Sequence, residues 1–393
     1  MALAGVAVAA TDNRDNRASR SILAAALALP GVVAGAAAVL MVPAVQAESA
    51  PEEGTVGIKM LRYQESQPGL KRVEVKAPSV YLLTPIGPRW SLEASAVQDE
   101  VSGASPRYYS DVSGASVMHD ERTAGDLKLT RHFERAAVGL GLSLSKENDY
   151  RSRALSLDTR IASADNNTTW NFGIGRANDR IDPSNQRVSD ERKRTGDYLI
   201  GVTQAWSPRD LVQANLTLSR GQGYFNDPYK TYDARPRERN SQALLLRWNH
   251  RGPQWSGTLR SSYRYYRDSF GVRAHTTEAA WVQNLGERVT VTPLLRYYTQ
   301  RAASFYFDPS SNPANYPAPD VWTPYYSNDQ RLSAFGAVTA GVKVDWKITR
   351  RWTVDLKLER YQQRSSWRLG GEGSPGLAPF SANWMQLGLS STF

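Results

Sequence analysis

Strict alternation of apolar and polar residues is the feature that most constrains the fold of this chain. Residues 211–220 read LVQANLTLSR and residues 352–361 read WTVDLKLERY, and every second residue is apolar from 212 to 218 and from 352 to 358. Because successive side chains of a β-strand point to opposite faces, this period of two predicts strands with one apolar and one polar face. Strands of soluble proteins commonly have about 5–6 residues, whereas a tilted strand needs about 9–11 residues to cross a bilayer. The pattern therefore predicts membrane-spanning strands.

Dividing the whole chain by this pattern predicts an all-β fold of about 16 strands, with 14–18 as the range. In hydrocarbon every unbonded backbone N–H or C=O costs several kcal/mol, so a sheet spans a membrane only when it closes on itself. We therefore expect one transmembrane antiparallel β-barrel. The predicted strands are residues 55–65, 73–85, 90–99, 122–134, 136–146, 150–162, 168–178, 195–206, 211–221, 240–250, 254–268, 273–285, 288–300, 332–346, 352–364 and 382–393.

The lengths of the connections test this division, because they were not used to find the strands. Connections on one side of the predicted sheet are short, such as residues 87–89 and 207–210. Most connections on the other side are long, as in outer-membrane barrels with short periplasmic turns and long external loops. The long connections are residues 100–121, 179–194, 222–239, 301–331 and 365–381.

Residues 1–47 have the composition of a secretory signal peptide. Arg14, Arg17 and Arg20 precede an apolar stretch over residues 21–45, and small residues surround the expected cleavage site after Ala47. A retained transmembrane anchor is the alternative interpretation. We expect cleavage, a short periplasmic lead-in over residues 48–54 and a barrel over residues 55–393. The absence of cysteine means that no disulfide supports the fold.

The final strand ends on an aromatic residue. Residues 384–393 read WMQLGLSSTF, and Phe393 shares the parity of the apolar positions. Such an ending resembles the signal that barrel-assembly machinery recognises. Together with the leader it predicts a monomer in the outer membrane of a Gram-negative envelope, with the lipid bilayer and the assembly machinery as partners and a periplasmic protein as a possible further partner.

The polar faces of the strands carry charges of both signs. The net charge of +10 is spread along the chain rather than clustered, which argues against nucleic-acid binding. Two interpretations stay open: an ion-paired interior that stabilises a narrow barrel, or a passage for anions, since basic groups outnumber acidic ones. Residues 301–331 would form a plug or a cap. The predicted interior charges are Lys128, Arg247, Arg260, Arg264, Arg296, Lys343, Asp345, Lys347, Asp355, Lys357 and Glu359.

Residues 100–116 read EVSGASPRYYSDVSGAS and repeat one short motif. Serine-glycine turns can present N–H groups to an anion, and nearby carboxylates could bind Ca²⁺; the third interpretation is an ordinary external turn. No other cofactor is predicted. The histidines lack zinc-site spacing, and no G-x-S-x-G or other catalytic arrangement is evident, so we expect no enzyme. The candidate calcium ligands are Asp99, Glu100, Asp111, Asp120, Glu147 and Asp149.

Three short motifs in residues 95–155 resemble one bacterial family. The motifs are DEVSGASP (residues 99–106), TRHF (residues 130–133) and SKENDYRS (residues 145–152). They are similar to those of the domain of unknown function 3570 family of Gram-negative outer-membrane β-barrel proteins. The resemblance implies an exported β-rich protein and no catalytic residue. Family genes often adjoin those of thioredoxin-like and flavin-transferring proteins, so the resemblance also suggests a link to a redox system of the envelope.

The role that the sequence favours is a pore or transport channel with a basic interior. The second hypothesis is a non-conducting envelope scaffold for a periplasmic redox-linked system. The third is an outer-membrane enzyme.

Overall fold

A computed structural model describes residues 49–104, 117–230, 232–252, 256–308 and 324–393. Within these ranges, sixteen antiparallel strands form one closed barrel, which confirms the predicted fold class. The barrel strands are β1 (Thr55–Gln67), β2 (Leu70–Pro85), β3 (Trp90–Ala104), β4 (Val117–His132), β5 (Ala136–Lys146), β6 (Tyr150–Ala162), β7 (Thr168–Ile181), β8 (Glu191–Ser207), β9 (Asp210–Gly223), β11 (Glu238–Arg251), β12 (Gly257–Asp268), β13 (Arg273–Leu285), β14 (Val289–Arg301), β16 (Phe335–Lys347), β17 (Trp352–Arg364) and β18 (Phe380–Thr392). Two short strands, β10 (Asp233–Ala234) and β15 (Tyr326–Ser327), form a separate small sheet.

The barrel closes where the first and last strands pair. Tyr63 of β1 lies opposite Trp384 of β18 in this register. Gly54 and Phe393 exchange backbone hydrogen bonds of 2.9 and 3.0 Å, which extends the ladder beyond both strands. In the described part of the chain, no helix has the length and apolar character needed to cross a membrane.

The two ends of the barrel differ in the lengths of their connections. At the turn end, neighbouring strands are joined by short segments such as residues 133–135 and 208–209. At the loop end lie longer segments such as residues 224–237, 302–334 and 365–379. This is the predicted sorting of short and long connections.

A continuous apolar belt covers the outward face. Leu129, Leu140, Leu157, Ile174 and Tyr198 lie opposite one another on five consecutive strands. All five are exposed, with Leu140 at 58% and Ile174 at 52%. Because soluble monomers rarely expose apolar patches above a few hundred Å², this belt is the surface of a barrel that faces lipid.

Aromatic side chains border the belt. On β8, Trp206 at the turn end lies eight residues from Tyr198 of the belt, about 26 Å along the strand, which a tilt of about 40° reduces to about 20 Å. Aromatic girdles at the membrane interfaces are typical of outer-membrane barrels. The outward aromatic residues at the turn end are Trp90, Phe133, Trp170, Trp206, Trp248, Trp346 and Trp352.

Two features differ from the sequence-based expectation. Strands β3 and β4 stay paired as far as Ala104 and Val117, because their ladder continues into the predicted loop 100–121. Aromatic residues crowded at strand ends are typical of interfacial girdles, yet Tyr266 and Tyr298 are inside the barrel, with exposures of 5% and 1%. Each adjoins a tyrosine of the opposite parity, so composition alone could not assign them to a face.

Candidate functional site: the barrel interior and its cap

Opposite charges line the inner face of β16 and β17 near the turn end. The Nζ of Lys343 lies 2.6 Å from Oδ1 of Asp345, and the Nζ of Lys357 lies 2.6 Å from Oε1 of Glu359. Across the barrel seam, Lys59 lies 3.8 Å from Asp355. The side chains of these carboxylates are at most 10% exposed. Buried charges require such partners, so these pairs stabilise the interior.

A second group of charges lies on β4 and β6. Lys128, one of the predicted interior cations, is 2.7 Å from Asp158. Asp126 accepts hydrogen bonds from Ser95 at 3.1 Å and Ser143 at 2.6 Å. Both side chains of the Lys128 pair are about one-fifth exposed, so this part of the wall borders a narrow solvent-accessible space.

Arginines dominate the wall formed by β11, β12 and β14. The Arg264 guanidinium lies 5.3 Å from the centre of the Tyr266 ring, and the Nε of Arg296 donates a hydrogen bond of 2.6 Å to Glu278. Arg260 interacts electrostatically with Asp345, and Arg247 donates a hydrogen bond of 3.4 Å to Gln213. Three of these four arginines lie on two adjacent strands, which makes this wall strongly basic.

Glycines provide the space that these charges occupy. A Cβ added to Gly139 would lie 2.5 Å from Cε of Lys128, and one added to Gly341 would lie 2.5 Å from Cγ of Glu359. Alternation alone does not distinguish such glycines from other small residues. Each of these charged side chains therefore needs a glycine on the neighbouring strand. Only the strand register shows which glycine lies beside which charge.

An aromatic cluster fills part of the interior at the loop end. Phe335 packs against Tyr298 with ring centres 5.7 Å apart, and Phe270 packs against Phe305 at 5.1 Å. Ala303 and Leu332 of the long segment 302–334 belong to the same buried cluster. Sequence analysis proposed a plug or a cap for this segment, and its described parts pack against inward residues of the barrel strands.

Four inward tyrosines share one hydrogen-bonding pattern that sequence analysis missed. In each, the hydroxyl donates to the side chain two residues later on the same strand, at 2.6–2.9 Å. A repeated Tyr-x-Glu/Asp/Gln near the loop end of a strand is the signal that would have found them. The pairs are Tyr63–Glu65, Tyr266–Asp268, Tyr298–Gln300 and Tyr361–Gln363.

A buried charge cluster joins the segments 224–237 and 302–334 above the aromatic residues. Oδ2 of Asp329 lies 2.6 Å from Arg235, and Arg331 contacts both Asp329 and Asp227, the latter at 2.7 Å. Arg235 also lies 2.9 Å from Asp233. We call the aromatic cluster and this charge cluster together the cap. The charge cluster contains Asp227, Lys230, Asp233, Arg235, Asp329 and Arg331.

The surroundings of Asp329 favour its charged form. Burial alone would raise the pKa of this carboxyl, but Arg331, Lys230 and Arg235 together hold the pKa well below its usual value. The pKa of Asp227 is also lowered, because Arg331 and Lys230 outweigh the effect of burial. Burial raises the pKa of Asp233, so the surroundings of this carboxyl disfavour its charged form, unlike those of Asp227 and Asp329.

The cap should loosen in acid. Because the folded-state pKa values of Asp329 and Asp227 lie below their unfolded values, their stabilisation is complete above the unfolded pKa of about 4. It is lost as the pH falls through the folded-state values. Hydrogen exchange of residues 324–334 should be slow between about pH 7 and 5 and accelerate below about pH 4, after correction for intrinsic exchange. Acceleration on raising the pH from 5 to 7 would contradict the assignment.

Three of the six candidate calcium ligands, Asp99, Glu147 and Asp149, have side chains within the described part of the chain. Asp99 accepts a 2.6 Å hydrogen bond from Nε of Arg122, and Asp149 interacts with the hydroxyl of Tyr229. Glu147 is buried beside the same turn, at 3% exposure. The Asp111 position and the side chains of Glu100 and Asp120 lie outside the described residues. Within the described ranges, no group of three or more His, Asp or Glu side chains could hold a metal ion.

One serine–histidine contact lies near the turn end. The Oγ of Ser91 is 2.9 Å from Nε2 of His132. Both residues are only 6% exposed. A hydrolytic serine must meet a substrate carbonyl, whereas both of these side chains are buried. The pair bridges β3 and β4.

The closed barrel, its outward apolar belt and its charged interior define a transmembrane β-barrel. The chain belongs to the family described as Protein of unknown function (DUF3570), which matches residues 19–115, 112–189 and 184–384. The resemblance found from the three motifs is thereby confirmed. No curated protein matches the chain.

Several solved outer-membrane barrels are similar in structure but distant in sequence. The siderophore receptor PirA from Pseudomonas aeruginosa is 12% identical with a TM-score of 0.41. The match includes 80% of this chain and 57% of the receptor, so the chain spans little more than half of the receptor's length. The outer membrane protein OpdK from the same organism is 9% identical with a TM-score of 0.42, covering 87% of this chain and all of that one. OccK2 (OpdF), solved with glucuronate, is 10% identical with a TM-score of 0.44, covering 87% and 98%.

Proposed function

We propose that this protein is a gated channel of the Gram-negative outer membrane that passes small anionic solutes. The observation that carries the proposal is the arginine wall of β11 and β12, formed by Arg247, Arg260 and Arg264. These side chains lie on the inner parity of adjacent strands, in a barrel whose wall at β4 and β6 is partly accessible. Basic groups that line a narrow passage lower the energy of an anion within it.

The cap supplies the gate in this proposal. Its aromatic cluster fills part of the loop end, and its charge cluster holds two long segments together. Motion of residues 324–334 would change access to the interior without altering the barrel wall. Gating by such segments is compatible with a rigid barrel, because loops open at lower free energy than paired strands.

Membrane placement and processing belong to the same proposal. The apolar belt supports insertion into a bilayer, and residues 1–47 would direct export and be removed. The ring of Phe393 lies against Gly54 at the barrel seam, where a signal for the assembly machinery would be presented. We propose that the mature chain acts as a monomer.

Conductance in planar bilayers tests the channel. We expect discrete openings and a reversal potential that favours chloride over potassium, because the arginine wall attracts anions. Replacing Arg247, Arg260 and Arg264 together by glutamine should reduce the chloride preference by about twofold or more. The control Lys76→Gln removes an outward charge of β2 and should leave it unchanged.

Two results would contradict this prediction. A preference for potassium in the unaltered protein would refute the basic passage. A complete lack of openings across a wide voltage range, in both the unaltered protein and a variant with a loosened cap, would favour the second candidate.

The second candidate is a non-conducting envelope scaffold. The ion pairs of β16 and β17 favour it, since the carboxylates of Asp355 and Glu359 are at most 4% exposed. A barrel whose interior is tied together in this way could serve as a rigid base for a periplasmic redox protein. Co-purification of such a protein from native membranes, with no conductance, is its expected result.

A further inference from the structure

Outward-facing basic residues form a band at the loop end of β5–β14. Lys146, Arg151, Arg180 and Arg192 lie directly opposite one another on four consecutive strands. Like charges in direct cross-strand positions are destabilising unless counter-charges accompany them. The members of this arginine band are Lys146, Arg151, Arg153, Arg180, Arg192, Arg194, Arg220, Arg267, Arg273 and Arg301, and all are exposed.

The same arrangement recurs on β12, β13 and β14. Arg267 lies opposite Arg273, which lies opposite Arg301. Arg267 donates hydrogen bonds of 3.0 and 2.7 Å to Gln242, a neutral acceptor. Among the described carboxylates, none forms an ion pair with Arg273 or Arg301. This part of the band therefore carries positive charge that the described protein does not neutralise.

A groove of about 610 Å³ opens on the outer face within the band. Arg220, Arg267 and Arg273 contribute to its lining, together with Asn240 and Gln242. Two carboxylates also line the groove. Glu238 accepts a hydrogen bond of 3.4 Å from Gln222, and Asp268 is paired with Arg239 at 2.5 Å. Its volume falls within the range of about 300–1,000 Å³ that is typical of small-molecule sites. Three guanidinium groups around one groove suit a phosphate, which arginine binds through two parallel hydrogen bonds.

An apolar groove of about 510 Å³ lies on the same strands nearer the turn end. Val202, Leu246, Trp248 and Tyr263 are among its lining residues. From Arg220 to Ala214 on β9 is six residues, or about 20 Å along the strand. A basic groove above an apolar groove matches a molecule with an anionic head and long acyl chains.

We propose that this outer face binds a phosphorylated glycolipid of the outer leaflet. The phosphate occupies the basic groove among Arg220, Arg267 and Arg273, and an acyl chain occupies the apolar groove below. The sugar hydroxyls can hydrogen-bond Asn240 and Gln242 at the groove floor. This inference rests on the proposed outer-membrane placement and does not depend on conduction through the interior.

Native mass spectrometry of the folded barrel in detergent tests the proposal. The probe is a bisphosphorylated acylated disaccharide lipid, compared with its dephosphorylated form, phosphatidylglycerol and inorganic phosphate. We expect the phosphorylated glycolipid to be retained, and Arg220→Gln/Arg267→Gln/Arg273→Gln to bind it about tenfold more weakly or worse. The control Arg288→Gln/Arg350→Gln/Arg351→Gln removes three exposed arginines at the turn end and should bind as the unaltered protein does.

The alternative outcomes decide against the proposal in different ways. Equal retention of phosphatidylglycerol indicates a general anionic-lipid surface, and binding of inorganic phosphate without lipid retention indicates a free-anion site. Equal losses in both triple variants indicate unspecific attraction. If the triple variant does not fold, Arg220→Lys/Arg267→Lys/Arg273→Lys keeps the charge and should bind with intermediate affinity. Failure of the unaltered protein to insert into bilayers refutes the membrane placement, whereas an inserted barrel that ignores the glycolipid refutes only this inference.

Discussion

Asp329→Ala is expected to release the cap and to raise the open probability of the barrel by about a hundredfold or more, because one buried partner of three cations is lost. In the unaltered protein, the cluster balances three carboxylates, Asp227, Asp233 and Asp329, against Lys230, Arg235 and Arg331. Asp329 is fully buried. Removing one partner of a buried ion pair costs about 3–5 kcal/mol, and each 1.4 kcal/mol is about tenfold in an equilibrium.

Asp329 also organises the backbone around it. Its side chain accepts a hydrogen bond from the backbone N–H of Arg331 at the start of the 3-10 turn Gln330–Leu332. Alanine would therefore remove a capping interaction as well as a charge. Leu332 of that turn belongs to the aromatic cluster, so loosening the turn should disturb both parts of the cap.

The matched control is Glu191→Gln. Glu191, the first residue of β8, pairs with Arg237 of the segment 224–237 at 2.6 Å, and Arg237 is 64% exposed. Exposed pairs contribute about 0–1 kcal/mol, so this variant should gate like the unaltered protein. Single-channel recordings measure the open probability, and hydrogen exchange of residues 324–334 reports the cap independently. Protection that stays unchanged in Asp329→Ala would refute the assigned role of the charge cluster.

Leu157→Arg should destabilise the folded barrel by about 2–4 kcal/mol, the cost of a basic residue at the bilayer midplane of a barrel. Leu157 lies near the middle of β6, faces outward at 41% exposure and neighbours Leu140 and Ile174 in the apolar belt. Its long side chain would have to leave the hydrocarbon layer or draw water into it. Guanidinium-induced unfolding in lipid vesicles, followed by tryptophan fluorescence, measures this change.

Asn383→Arg serves as the control for this substitution. Asn383 is exposed on β18 near the loop end, where a basic residue should cost about 0–1 kcal/mol. Equal unfolding midpoints for both variants would mean that the outward face of β6 does not contact hydrocarbon. That outcome would also remove the basis for a membrane channel.

Much of the architecture was accessible from residue order alone. Alternation located all sixteen barrel strands, and the long segments 302–334 and 365–379 lie on the predicted side. Closure followed from backbone hydrogen bonding, since an open edge cannot lie in lipid. The predicted interior cations Lys128, Lys343 and Lys357 each form an ion pair, because parity along a strand decides the face of every residue on it.

The identities of the contacting partners were not accessible in this way. Lys59 and Asp355 meet only because β18 lies between β1 and β17 in the closed barrel. The cap joins Asp227 to Arg331, and Arg235 to Asp329, across about one hundred residues of sequence. Such contacts depend on how loops without periodic pattern return to the barrel, and no local preference encodes that path.

Local periodicity thus specifies the strands, their faces and the lipid-facing belt, because each depends only on neighbours along one strand. The arginine band needed one more level of information. Arg267, Arg273 and Arg301 become a group only through the register of three strands, and a slip of one residue would turn each side chain to the other face. Register and loop packing are collective properties of the closed sheet, and they place the cap, the arginine wall and the outer groove.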